Sequence, residues 1–150
     1  MPICGIICAI KLGNIRFLKD SNISSIFKGS MAVSIDELEK AVNALESVLK
    51  LEKNDVTRDA TIQRFEFCIE LSWKVSRKVM GSSTTAPKEV IREMAQNNLI
   101  NDVTIWLQAI DERNISSHTY NEDLANKVYA FSKVFLPLAQ DLVGKLRPRS

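Results

Sequence analysis

Between Thr57 and Met80 apolar side chains recur on two stripes at once. Ile62, Phe65, Ile69 and Trp73 follow one line at three- and four-residue steps, and Cys68, Leu71, Val75 and Val79 follow a second. A helix apolar over that much of its circumference belongs at the centre of a bundle, wrapped by other helices. The flanking sequence supplies them. Ser34-x-x-Glu37 reads as a capping box opening an earlier helix with Ile35, Leu38, Val42, Leu45 and Leu49 on one face. Lys53-Asn54-Asp55 marks the loop that follows it. Gly81 to Thr85 ends the central helix, and Pro87 sits where the first residue of a third helix belongs, running to about Asn97. Asn101-Asp102 can cap a fourth. Leu124, Val128, Phe131, Phe135, Leu138 and Leu142 mark a fifth, with Pro137 expected to kink it. No strand alternation competes, there is no internal repeat, and five glycines, four prolines and 7% aromatics disfavour a sandwich or barrel. The expected fold is all-α, an antiparallel up-and-down bundle of four to five helices over residues 34–150, joined by short connections.

Residues 1–33 stand apart. Pro2 to Ile10 is apolar, but no Lys or Arg precedes it and no small-x-small cleavage site follows, so it lacks the form of a secretory signal. Asn22, Ser24, Ser25, Gly29 and Ser30 look like a linker, and Met31, just before the first helix, is a second candidate start. The stretch is therefore expected to be an extension or linker. Cys4-x-x-x-Cys8 without a nearby histidine is a weak metal motif, and three cysteines without paired spacing point to reduced thiols in a cytoplasmic protein. No apolar run reaches the length of a membrane span. A net charge of +2 neither identifies a nucleic-acid binder nor excludes a local basic patch.

The single histidine, His118, lies where the helical pattern breaks, in Asp111-Glu112-Arg113-Asn114-Ile115-Ser116-Ser117-His118-Thr119-Tyr120-Asn121. In an unbroken helix Arg113 and His118 would point roughly 140° apart. Ser116 and Ser117 compete for backbone hydrogen bonds, and Thr119-x-x-Glu122 reads as a capping box for the next helix, so a break after Ile115 frees His118 to turn back. Two readings follow. Arg113 suits a phosphate and His118 suits proton transfer near neutral pH, the groups that metal-free phosphodiester cleavage needs. Alternatively His118 caps a helix and Arg113 pairs with Asp111, Glu112 or Glu122. Concerted acid–base chemistry wants two proton-transfer groups, and a two-fold dimer would bring a second His118. The stretch from Asp111 to Asp123 carries four acids against one arginine, so further cations for RNA would come from elsewhere, such as Arg58, Arg64, Lys74, Arg77 and Lys78. Asp111-Glu112 and Glu122-Asp123 read as solvated helix ends. There is no P-loop, dinucleotide turn or paired-histidine metal motif, so no cofactor or metal is called for.

Asp59-Ala60-Thr61-Ile62-Gln63-Arg64-Phe65-Glu66-Phe67, Glu70-Leu71-x-Trp73-Lys74, Pro87-x-Glu89-Val90-Ile91-Arg92-Glu93 and Arg113-Asn114-Ile115-Ser116-Ser117-His118-Thr119-Tyr120-Asn121-Glu122 occur in that order. Together they resemble the nucleotidyltransferase substrate-binding proteins of the HEPN superfamily, over about Ser34 to Leu146. The resemblance implies a helical-bundle homodimer with two Arg–His motifs facing each other, encoded beside a minimal nucleotidyltransferase that it binds. It further implies a HepT-like toxin of a toxin–antitoxin pair, a metal-independent endoribonuclease in which Arg113 holds phosphate, His118 is the general acid/base and Asn114 supports the motif. Tyr120 would be the residue adenylylated by the nucleotidyltransferase. The family's older name implies instead a non-catalytic subunit that presents substrate. Arg64 and Glu66 stand between lining the dimer cleft and lying on the wet side of their helix. Glu70 to Lys74 reads as an ordinary i,i+4 pair, and Trp73 and Trp106 as core.

Overall fold

Ser34 is extended, and its Oγ accepts the Glu37 N–H at 3.2 Å, which starts helix α1 (Ile35–Leu49). The structure is a computed structural model, and it describes residues 33–116 and 121–150. Only half of the expected capping box is used for that end, because Glu37 turns to Lys40, whose Nζ donates to it at 3.0 Å. The reciprocal box occurs one helix later. Asn54 accepts the Thr57 N–H at 2.9 Å while Thr57 Oγ1 accepts the Asn54 N–H at 2.9 Å, so α2 (Asp55–Met80) begins two residues earlier than its apolar pattern suggested. Gly81 closes α2 in the left-handed region, at φ 67°. Pro87 opens α3 (Pro87–Gln96). Asp102 caps α4 (Val103–Ile115), accepting from the Thr104 and Ile105 amides. Helix α5 (Glu122–Leu146) continues through Pro137 and ends in a 3-10 turn at Arg147–Arg149.

The start of α5 corrects one expectation. Its cap is Asn121, whose Oδ1 accepts from the Asp123 N–H at 2.9 Å and the Leu124 N–H at 3.4 Å; Thr119, the expected cap, lies outside the described residues. An Asn side chain is short enough to reach its own second and third amides, so it takes the capping role wherever the helix begins just after it.

Among the described residues the architecture is five helices and no strand. α2 runs through the middle and packs against α1, α3, α4 and α5, while α1 also packs on α5. The connection 50–54 is too short for anything but an antiparallel arrangement of α1 and α2. The core confirms the two-stripe reading of α2: Ile62, Phe65, Cys68, Ile69, Leu71, Trp73 and Val75 are buried, and Val79 is half-buried. At the centre Phe65 meets Phe135 edge-to-face at 5.3 Å and Phe131 at 5.8 Å, and Trp106 of α4 meets Phe135 at 5.0 Å. These T-shaped pairs put ring edges against ring faces, the favourable quadrupole arrangement. On α1, Val48 rather than Leu49 completes the buried stripe. Cys68 is fully buried, and desolvation pushes its thiol up to about 12, which leaves it inert. None of the described helices is long and apolar enough to cross a membrane.

Because two edge-to-face ring contacts converge on it, Phe135→Ala is expected to lower stability by about 3–5 kcal/mol in denaturant unfolding. Val134→Ala, at a half-exposed neighbouring position, should change it by less than about 0.5 kcal/mol. Equal losses from the two variants would contradict this placement of the core.

Candidate functional site

Helix α4 stops where the serines begin. Ser116 donates its N–H to the Glu112 carbonyl, and its Oγ contacts the Arg113 carbonyl at 2.5 Å, occupying an acceptor that a further helical turn would have used. The same Oγ hydrogen-bonds Glu66 Oε1 of α2. Ser116 and Glu66 are both buried, so this is an anchored junction between α2 and the end of α4.

Arg113 lies in the last turn of α4, where a cation also opposes the negative end of the helix dipole. Its guanidinium crosses to α2: Nη2 is 2.6 Å from Glu70 Oε1, and Nη1 donates to Asn114 Oδ1 at 3.3 Å. The other Glu70 oxygen, Oε2, is 3.1 Å from Lys74 Nζ. Glu66, Glu70 and Lys74 recur every four residues, so they form one polar line along α2 beneath the end of α4. Glu70 bridges two cations with a side chain only 18% exposed, whereas Arg113 and Lys74 are 37% and 32% exposed and keep a side towards solvent.

Acids of the surrounding stretch meet cations from other elements, although Arg58 also serves Asp55 and Asp59 of its own helix. Asp111 is 2.7 Å from Lys88 of α3, Glu112 is 3.3 Å from Lys127 of α5, and Glu122 is 3.7 Å from Arg58 of α2. Asp123 sits in the first turn of α5, where the helix dipole favours a negative charge. Glu112 corrects the expectation of a solvated helix end. It is 2% exposed and also accepts from Gln108 Nε2 at 3.3 Å. Arg113 forms its ion pair across to Glu70 of α2, where the sequence offered Asp111, Glu112 or Glu122.

Of the residues singled out in the sequence, Arg113, Asn114 and Glu66 come together at this junction. Arg64 turns the other way and donates from Nη1 to the Ala44 carbonyl of α1 at 2.7 Å. His118 and Tyr120 lie outside the described residues. Trp73 and Trp106 are buried, as their core reading requires. Sequence reasoning missed Ser116 as the partner of Glu66, and it took Glu70–Lys74 as an isolated pair. The available signal was the four-residue polar spacing on an otherwise apolar helix.

A family model described as nucleotidyltransferase substrate binding protein like matches residues 33–148. The chain belongs to this family. A probable ribonuclease HepT of Haemophilus influenzae is 35% identical over 97 residues, 59% of this chain; the match spans 66% of that relative, just under two thirds. A crystal structure from Thermus thermophilus superposes with a TM-score of 0.69 at 33% identity, covering 73% of this chain and 98% of that one. A second structure, from Haemophilus influenzae, gives 0.65 at 29% identity, covering 75% and 98%. That protein is described as having the fold of a substrate binding domain of a nucleotidyltransferase.

The anchored junction makes a stability prediction. Ser116→Ala removes a hydrogen bond to a buried carboxylate and should cost about 1–3 kcal/mol in denaturant unfolding, with the helical circular dichroism retained. A loss below about 0.5 kcal/mol would show that the Glu66 contact does not fasten α4 to α2.

Proposed function

We propose that this family member is the toxin arm of a HEPN/nucleotidyltransferase pair, a metal-independent endoribonuclease of the cytoplasm. The active unit is a homodimer of domains comprising residues 34–150, with 1–33 an extension. The observation that carries this reading is Arg113. A partly exposed guanidinium stands at the end of α4, five residues before the chain's histidine, in a protein similar to a probable ribonuclease HepT.

In the proposed reaction one His118 takes the proton of an RNA 2′-hydroxyl as its oxygen attacks the adjacent phosphorus. The bond from phosphorus to the 5′-oxygen breaks, and His118 of the second protomer gives that oxygen a proton. The products are a 2′,3′-cyclic phosphate and a 5′-hydroxyl. Arg113 holds the phosphate and stabilises the charge on the pentacoordinate phosphorus, with Asn114 beside it. The partner is a minimal nucleotidyltransferase. It silences the toxin by transferring AMP from ATP to the Tyr120 hydroxyl with loss of pyrophosphate, which puts negative charge and bulk where an RNA phosphate would sit.

A second reading has a specific observation in its favour. The family description and one solved relative both speak of substrate binding for a nucleotidyltransferase. On that reading the chain binds substrate or nucleotide for its partner and cuts nothing.

Expression of the chain alone in a bacterial host separates the two. The ribonuclease reading expects growth arrest and RNA cleavage from the unmutated chain, and loss of both in His118→Ala at unchanged helical content. Equal toxicity of the two chains, or intact RNA in both cultures, contradicts it.

A further inference from the structure

We propose that Glu70 occupies the place of a substrate phosphate between Arg113 and Lys74, and that RNA binds by displacing it. The inference takes the identity of the ligand, a phosphodiester, from the ribonuclease reading; the anion site itself rests on the geometry. Glu70 presents one oxygen to Arg113 at 2.6 Å and the other to Lys74 at 3.1 Å. Two non-bridging oxygens of a phosphodiester make the same pair of contacts, and a guanidinium and an ammonium are the side chains that bind phosphate best. Both cations are about one-third exposed, so an anion arriving from solvent can reach them.

Each cation has a further contact besides Glu70. Arg113 is set by its place at the anchored end of α4 and by Asn114. Lys74 lies over the ring of the buried Trp73, with its ammonium 5.4 Å from the centroid. Moving Glu70 aside breaks its two ion pairs, which the phosphate's own contacts with Arg113 and Lys74 replace. The other acids close to Arg113 in sequence already have cations of their own, Lys88 for Asp111 and Lys127 for Glu112. Glu70, paired directly with both cations while Glu66 is tied to Ser116, is the negative charge that an incoming phosphate replaces. Lys74 becomes a phosphate-binding residue, and Glu70 a positioning residue that holds the two cations together while the site is empty.

The test uses the full chain and a fluorescein-labelled 2′-O-methyl oligoribonucleotide, which lacks the attacking hydroxyl and is not cut. Binding is followed by anisotropy across a salt series, with circular dichroism to verify folding. Glu70→Gln keeps the side chain's size and removes its charge. It should tighten binding by about fourfold or more, the effect of relieving repulsion from one unit charge at roughly 5 Å in water. Lys74→Gln should weaken binding and make the slope of log affinity against log salt shallower by about 0.7, one single-strand phosphate contact. Unchanged or weaker binding by folded Glu70→Gln overturns the proposal; should that variant fail to fold, an unchanged salt slope in Lys74→Gln does so. Cleavage of unmodified RNA is read in parallel. Cleavage without a gain from Glu70→Gln removes the phosphate site and leaves the nuclease, whereas a gain without cleavage removes the nuclease and leaves the site.

Discussion

Helix α2 has to be dry on most of its circumference and still present charge along one line. Phe65, Ile69 and Trp73 commit it to the centre of the bundle, where it touches every other helix. The cost of burying carboxylates there confines Glu66 and Glu70 to the edge where the end of α4 arrives with a hydroxyl and a guanidinium. The bundle and the polar junction are thus one solution to one constraint. If α2 were less apolar it could turn its polar line to water, and α4 would have nothing to lock against.

The electrostatics of the junction follow from the same arrangement. The stretch around Arg113 is acidic when read as sequence, which argues against an anion site. Folding brings Lys88, Lys127 and Arg58 from three other helices onto Asp111, Glu112 and Glu122. Among the described residues Arg113 pairs with the bridging carboxylate of Glu70, which also holds a second cation, Lys74, and Glu66 is tied to Ser116 nearby. Pairs of this kind contribute little to stability when partly exposed. Their consequence is local: at the proposed site they set which charge an arriving phosphate would meet.

Helix number, order and burial were legible in the sequence because apolar periodicity and end signals agree with each other. Pro87, Asp102, Gly81 and Ser34 each do what their position suggested. The misses lie at boundaries and in long-range pairs. Asn121 caps α5, and the Asn54–Thr57 box opens α2, because Asn, Ser and Thr compete for the same role within a few residues of one another. Arg113 to Glu70 and Ser116 to Glu66 span more than forty positions along the chain. No local rule selects such partners; only the packing of α4 against α2 brings them together. Glu112 was misread for the same reason, since a charged residue next to a helix end looks solvated until Lys127 of another helix covers it.

The proposed activity is metal-free transesterification of RNA by Arg113 and His118. The most direct test is the chemistry of the cut ends. Purified chain is incubated with a defined RNA in excess chelator, and the fragments are examined by mass spectrometry and by their acceptance of phosphate from a 5′ kinase. The account predicts 2′,3′-cyclic phosphate at one end of each cut and a free 5′-hydroxyl at the other. Fragments with 3′-hydroxyl and 5′-phosphate ends, or RNA left whole, would contradict it.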